Sequence, residues 1–432
     1  MILYPHLDLN KEGHLTIGGL DTVALAHKFG TPAYIMDEDA IRAQCRTYLA
    51  ACRANFGADA LPAFASKSLS FTEIYRIMAE EGMGIDCVSG GELYTAKKAG
   101  FPAERIYFHG NNKTARDLTD ALEMGVGTVV VDNEAELSLL GALAASRGIT
   151  QSILLRITPG IDPHTHRAIQ TGNVDSKFGN AIQTGQAMQI TRAALATAGI
   201  NLLGFHCHIG SQIFEIDPFL EAADIMMRFI ADVKKETGFE ATTLNLGGGL
   251  GVRYTEEDPV IDYAAAIAGI GAAVREAAEK YGVTMPRIIL EPGRSIVAAA
   301  GITLYTVGGV KEIPGFKNYI SVDGGMPDNP RYALYSSVYT AVIANRAGEP
   351  ATYRATLAGR CCESGDLIGE DMAIQPTEAG DILAVLTTGA YNYAMASNYN
   401  RLPRPPVVFV KDGKARVVVR RESYEDLVRN DL

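Results

Sequence analysis

The chain lacks a basic surplus. Its 39 lysines and arginines are outnumbered by 50 aspartates and glutamates, for a formal net charge of −11. That argues against a nucleic-acid-binding role, because phosphate recognition needs a basic face. It does not exclude an anionic cofactor, since a pocket can be locally basic on an acidic protein. Cysteine is scarce. The six, Cys45, Cys52, Cys87, Cys207, Cys361 and Cys362, include no CxxC pair and are spaced neither as a disulfide framework nor as a zinc site. This favours a reducing compartment. Met1–Asn10 has no basic segment followed by a long apolar run, so no secretory signal is expected. The least polar stretch, Ser295–Val310, is too short and too rich in Gly and Thr to span a membrane. There is no low-complexity segment and no close repeat. With 47% hydrophobic and 21% charged residues, the expectation is a cytoplasmic globular protein of two or three domains, large enough to bury its core without disulfides or metals.

Short β-rich runs alternate with helical patterns over residues 33–298. The strand candidates are AYIMD (33–37), LPAFASK (61–67), GIDCVS (84–89), IYFHG (106–110), TVVVDN (128–133), ILLRITP (153–159), LLGFHCHIG (202–210), TLNLGGG (243–249) and RIILEPG (287–293). Helical stretches such as Glu73–Glu81, Thr114–Met124, Gln186–Ala198 and Pro218–Glu236 lie between them. Apolar strands alternating with helices imply parallel βαβ units. Their regular spacing predicts a (β/α)8 barrel over 33–298. Nine candidates compete for eight places, and AYIMD is left open as a barrel strand, an entry strand or a connector. After about residue 300 the pattern turns to strands separated by Gly, Pro and Asp turns, in TLYTVGGV, YISVDGG, ATYRATLAG, DILAVLTTG, PVVFVKDG and ARVVVRRES. KDGKARVVV reads as a hairpin on Asp412-Gly413. Residues 299–432 therefore form a β-barrel or sandwich domain, and residues 1–32, with LTIGG, are expected to join it.

In such a barrel the chemistry sits at the C-terminal strand ends. That rule selects Lys67, Asp86, Ser89, His109, His206, Ser211, Gly247–Gly249, Glu291 and Arg294. Lys67 closes an apolar strand, where partial desolvation would lower its pKa and free a nucleophilic amine; the plainer reading is a lysine reaching solvent. The run Asn245–Gly251 puts glycine amides directly after a strand, where a phosphate can approach, or it is only a tight turn. His206 and His208 are two apart and could share a strand face. With His109, His164 and His166 they permit a metal-hydrolase reading, and a satisfied core histidine is the bland alternative for His208. Glu291 could pair with Arg294, or could hold a pyridine nitrogen protonated. Cys361–Asp366 is either two buried cysteines at a turn or an exposed functional turn. Gly389–Asn400 concentrates Tyr and Asn hydroxyls and amides able to bind phosphate or carboxylate.

Taken in order, FASK, GIDCVSGGEL, FHGNNK, SKFG, GFHCHIGSQ, NLGGGLG, EPGRS, VDGGM, CCESGD and GAYNYAMASNYN resemble the diaminopimelate decarboxylases. These are fold-type III, alanine-racemase-like enzymes dependent on pyridoxal 5′-phosphate (PLP). The resemblance covers about residues 33–402. It implies decarboxylation of meso-2,6-diaminopimelate to L-lysine and carbon dioxide, the last step of lysine biosynthesis. It also implies roles: Lys67 holds PLP as a Schiff base; His206 stacks on the ring; Ser211 and Gly247, Gly248 and Gly249 bind phosphate, helped by Tyr391. Glu291, in EPGR with Gly293 and Arg294, holds the pyridine nitrogen. Arg294, Arg331 and Tyr335, with Tyr391, grip a substrate carboxylate, and Glu363 meets the distal ammonium. Cys362 resembles the family's proton donor, contributed by the partner subunit of a homodimer. Two positions depart from the common pattern: Arg331 is followed by Tyr332 rather than proline, and Lys67 by Ser68 rather than alanine. Ornithine or arginine decarboxylation is the alternative within the class. A racemase and a non-catalytic PLP-binding protein are the alternatives beyond it.

Overall fold

The computed structural model describes residues 3–161 and 176–432. The chain divides into two compact units. One comprises Gln44–Gly251 and Ile261–Gly293, the other Met1–Ala43, Val252–Val260 and Arg294–Leu432.

Eight strands of the first unit are parallel and close on themselves: Leu61–Ala65, Gly84–Cys87, Ile106–Phe108, Thr128–Val131, Gln151–Thr158, Ile200–His206, Thr243–Asn245 and Arg287–Leu290. They are numbered here as the first to eighth barrel strands. All eight coincide with runs expected from the sequence. Most are short, largely apolar and buried along their length without strict alternation, as expected of strands covered on both faces. Ala63, Tyr107, Val130, Leu154 and Ile289 pack together in one buried cluster.

Between the strands, the helices begin and end where local chemistry dictates. Ser89, Asn133 and Asp262 cap helix N-termini through their side chains, and Thr114 forms a capping box with Asp117. Gly82, Gly100, Gly125 and Gly282 end helices in the left-handed conformation. The longest helix of the unit, Asp217–Thr237, buries Phe219, Ala222, Ala223, Met226, Met227, Phe229, Ile230 and Val233, a single stripe at helical spacing. Phe229 meets Phe205 of the sixth strand edge to face, with centroids 5.0 Å apart.

The second unit contains a mixed sheet. Ala33–Asp37, left open by the sequence, belongs to this sheet and not to the barrel. It pairs antiparallel with Gly301–Leu304 on one side and parallel with Val407–Val410 on the other. All five residues are buried, which is why AYIMD imitates a barrel strand. Gly301–Ile313 runs 13 residues and changes partners along its length, from Ile382–Val385 to Lys317–Val322, with a register shift between Val307 and Gly309. The hairpin Val407–Lys411 with Lys414–Val419 turns on Asp412 and Gly413, both at positive φ, as expected for a two-residue turn. The N-terminal strands Leu7–Leu9, Leu15–Ile17 and Leu20–Asp21 form their own small sheet. They join the unit by packing: Leu7, Leu15 and Ile17 share a core with Leu304, Val342, Ile382 and Val408. Two strands of the C-terminal segment escaped the sequence reading. Ala341–Ile343 is only three residues long, and Leu367–Ile374 carries Asp371 at positive φ, which breaks its alternation.

Candidate active site

Because the barrel strands are parallel, their C-terminal ends gather on one face, and the residues that follow them build the site. Lys67 lies in a short 3-10 turn, Ser66–Ser68, just past the first strand. The Ser66 amide donates to Asp86 at 3.3 Å and the Ser68 hydroxyl to the Ala65 carbonyl at 2.7 Å. Both serines are buried and Lys67 is exposed. Of the two readings of Lys67, exposure to solvent rather than partial desolvation is the one the structure shows. The turn carries the chain beyond the apolar strand before position 67, so the side chain stands clear of the wall.

Glu291 immediately follows the eighth strand and is buried. Its Oε1 faces His109 Nε2 at 2.7 Å and accepts from Asn245 Nδ2 at 2.7 Å. Its Oε2 faces His206 Nε2 at 3.0 Å. His109, His206 and Asn245 come from the ends of the third, sixth and seventh strands, so the carboxylate is gripped by three separate walls. Burial opposes its charge, but His109 and His206 outweigh burial and hold the carboxyl well below the usual range. Burial pushes His206 down to about 4 against the pull of Glu291. At neutral pH this ring is uncharged, with its proton on the Nε2 that faces the carboxylate. Its Nδ1 is buried without a hydrogen-bond partner among the described residues. Asp86, on the second strand, is pushed up to about 6 by burial, with His109 opposing and Glu291 reinforcing.

His208 lies beyond the strand that carries His206. The sixth strand ends at His206, and the Nδ1 of His208 accepts from the Gly248 amide at 3.3 Å. Ligand atoms of His109, His206 and Glu291 do lie within 4.8 Å of one another. A ring that donates through Nε2 has no lone pair left on that atom for a metal. His164 and His166, which the hydrolase reading also drew on, lie outside the described residues.

The glycine turn sits between the exits of the sixth and eighth strands. A Cβ on Gly247 would lie 2.6 Å from the Cys207 carbonyl, on Gly248 2.0 Å from the Glu291 carbonyl, and on Gly249 2.5 Å from the Gly210 carbonyl. Asn245 Oδ1 accepts from the Gly247 amide at 2.8 Å, and the Glu291 amide donates to the Gly247 carbonyl at 2.7 Å. The loop carrying half-buried Ser211 runs alongside, since Ile213 donates to the Gly249 carbonyl and accepts from the Gly251 amide. Gly293 is also sterically required: a Cβ there would meet the Ala65 Cβ at 2.8 Å.

In the second unit, Arg294 and Arg331 are each buried, 6% exposed. Arg294 Nη1 donates to the Tyr254 hydroxyl at 2.7 Å, and its guanidinium lies 4.7 Å from the Tyr391 ring centroid. Arg331 lies 4.4 Å from the Tyr335 ring and 5.2 Å from that of Tyr391. Tyr391 thus touches both cations. Asn392 holds the adjacent backbone by donating to the Thr388 and Ala390 carbonyls. Arg331 Nε is buried without a hydrogen-bond partner, and among the described residues no carboxylate pairs with this arginine.

Cys361–Asp366 forms an exposed turn built over one buried acid. Asp366 accepts from the Met326 and Cys361 amides at 2.6 and 2.7 Å. The Cys361 thiol is half-buried beside it and is pushed up to about 12 by burial and by Asp366. Cys362 and Glu363 are exposed, with the Cys362 amide held by Asn400 Oδ1 at 2.9 Å. The two adjacent cysteines are therefore not equivalent. Sequence reasoning gave no role to Asn245, Tyr254 or Asp366. Asn245 opens the glycine run and Asp366 closes the CCESGD string, both of which drew attention, while Tyr254 leaves no local mark because Arg294 is 40 residues away.

The barrel mouth can be tested against PLP. Glu291, kept ionised in a dry setting, suits a protonated ring nitrogen. The glycine turn has no Cβ to crowd a phosphate, and an exposed amine stands past the first strand. The residues fit the cofactor, and the fold and this chemistry together define a barrel-type PLP-dependent enzyme. The family described as pyridoxal-dependent decarboxylase, pyridoxal binding domain, matches residues 38–298. A diaminopimelate decarboxylase of Bacillus subtilis (strain 168) is 48% identical over 432 residues, covering 100% of this chain and 98% of its own. A diaminopimelate decarboxylase of M. jannaschii, solved with L-lysine, superposes with a TM-score of 0.91 at 36% identity, covering 100% and 99%. A lysine/ornithine decarboxylase of Vibrio vulnificus, solved with cadaverine, gives 0.77 at 25% identity, covering 94% and 100%. The chain belongs to the diaminopimelate decarboxylase family.

Proposed function

We propose that this chain converts meso-2,6-diaminopimelate to L-lysine and carbon dioxide with PLP as cofactor, as a cytoplasmic homodimer. The observation that carries the substrate is Arg331, a buried guanidinium facing two tyrosine rings with Nε unpartnered. A buried cation without a counter-charge is costly. A second substrate carboxylate, one that is not lost in the reaction, would satisfy it. Ornithine and lysine have no such group.

When bound, PLP supplies an electron sink for the pair released as the α-carboxylate leaves. Lys67 would hold it, and the ionised Glu291 would keep its ring nitrogen protonated. His206, neutral at Nε2–H, would lie against the ring. The Gly247–Gly249 turn, Ser211 and Tyr391 would hold the phosphate, with Gly293 keeping the chain close to the first strand. Arg294, Arg331 and Tyr335 would orient the retained carboxylate. Glu363 would meet the distal ammonium, and the thiol of Cys362 would give its proton to the α-carbon, both supplied by the partner subunit. The half-buried Cys361 faces Asp366 and serves the turn.

Incubation of the PLP-loaded protein with diaminopimelate, ornithine, arginine and lysine in parallel tests the reading. Lysine and carbon dioxide are expected from diaminopimelate alone. Release from ornithine or arginine instead would keep the barrel chemistry and overturn the substrate.

A further inference from the structure

The third barrel strand delivers His109 to Glu291, yet the roles above leave that histidine without work. We propose that His109 is a positioning residue, which fixes one oxygen of Glu291 so that the other oxygen is left for the cofactor ring. The inference rests on the reading of the barrel mouth as the PLP site.

The two oxygens of Glu291 are treated differently. Oε1 receives two groups, His109 Nε2 and Asn245 Nδ2, both at 2.7 Å. Among the described residues Oε2 receives only His206 Nε2, at 3.0 Å. A carboxylate oxygen accepts about two hydrogen bonds in its plane, so Oε1 is saturated by the protein and Oε2 keeps an open lone pair. The partners also differ in what holds them. Asn245 is tied to the glycine turn through the Gly247 amide. His109 is tied to the second strand, because its amide donates to the Cys87 carbonyl at 2.7 Å. Glu291 is therefore pinned from the second and third strands on one side and from the seventh on the other. The His109 ring also stands edge-on to His206, with centroids 4.8 Å apart, and so sets the tilt of the ring proposed to lie against the cofactor.

Several further groups share the field of Glu291. Asp86 from the second strand and Tyr107 from the third act on it, as do Arg156 from the fifth and Cys207 and His208 beyond the sixth. Of all these, only His109, His206 and Asn245 hydrogen-bond the carboxylate among the described residues. Removing His109 takes away one of two donors to Oε1. The carboxyl is then expected to protonate at higher pH.

The test compares His109→Leu, His109→Asn and His109→Gln. Leucine removes the donor, asparagine keeps an amide too short to reach, and glutamine can restore an N–H near the Nε2 position. In the PLP-loaded protein, Leu and Asn should lower kcat by about 10- to 100-fold, in the range of lost supporting contacts, with KM for diaminopimelate changed less than about threefold. The pH midpoint of the bound cofactor's visible absorption band should shift from the parent value in both. Gln should recover kcat and the midpoint to near the parent values. If Leu does not fold, the Asn and Gln pair decides alone. Equal losses in Asn and Gln, or an unmoved midpoint with the fold intact, would overturn the proposal. Glu291→Gln is measured beside them. A parent-like spectrum and kcat in that variant would show that the reading of Glu291 itself is wrong, a failure distinguishable from that of His109 alone.

Discussion

The barrel mouth and the arginine cluster of the second unit solve opposite problems. Glu291 is a buried anion whose oxygens are met by His109, Asn245 and His206, all from the same barrel. Arg331 is a buried cation set against the rings of Tyr335 and Tyr391, and its Nε bonds to nothing among the described residues. A network satisfied from within is preorganised, and keeps its geometry before any small molecule arrives. A guanidinium held against aromatic faces is kept in place by cation–π attraction while its donors stay unused. The first arrangement suits a cofactor that stays. The second suits a carboxylate that comes and goes.

The largest effect that would break this contrast is at Lys67. Lys67→Ala should abolish turnover, measured as carbon dioxide release, because no other amine follows the first strand; a normal rate would remove the barrel mouth from the chemistry. Next, Cys362→Ala should slow lysine formation strongly while PLP absorbance stays, and Cys361→Ala should change the rate much less. Equal effects would mean that the exposure difference between the two cysteines has no functional meaning.

The two units should also answer pH with opposite signs at single buried residues. His206 is depressed in the fold to about 4 from 6.5. Its contribution to stability is thus present above 6.5 and lost as pH falls toward 4, a difference on the order of 3 kcal/mol. Asp328, in the second unit, is raised by burial to about 7 from 3.8. The fold favours its neutral form, so stability falls as pH rises from 3.8 through 7, on the order of 4 kcal/mol. Relative to the parent, His206→Asn should therefore gain melting temperature on going from pH 8 to pH 5, and Asp328→Asn on going from pH 5 to pH 8. Shifts of the same sign in both would erase the contrast. The smallest effect belongs to Tyr391→Phe. It keeps the ring that touches Arg294 and Arg331 and removes only a hydroxyl, so KM should change more than melting temperature.

Much of this was legible before the structure. The eight barrel strands are buried on both faces and announce themselves as short apolar runs, and parallel topology then places Lys67, His206 and Glu291 at one end. AYIMD shows the limit of that signal, since a central strand of a mixed sheet is buried in the same way and reads identically. The choice between the two readings of Lys67 was not legible, because a one-turn 3-10 helix follows the strand and nothing in SKS marks it. His109 stood out by position, but its partner is 182 residues away, and no local pattern could supply it. Asp366 is the same case for one of its partners: Cys361 lies five residues away, but Met326 is 40 residues away and becomes a neighbour only through the fold.

The most direct test of the account is the discrimination of Arg331→Ala between diaminopimelate and lysine, which differ by the distal carboxylate. The parent should prefer diaminopimelate strongly in kcat/KM. The variant should lose about 2–5 kcal/mol of transition-state binding for diaminopimelate, the usual cost of truncating one member of a buried charge pair, with little change for lysine and with PLP still bound. A variant that keeps the parent's preference, or that loses both substrates equally, would contradict the claim that Arg331 is the unsatisfied cation awaiting a second carboxylate.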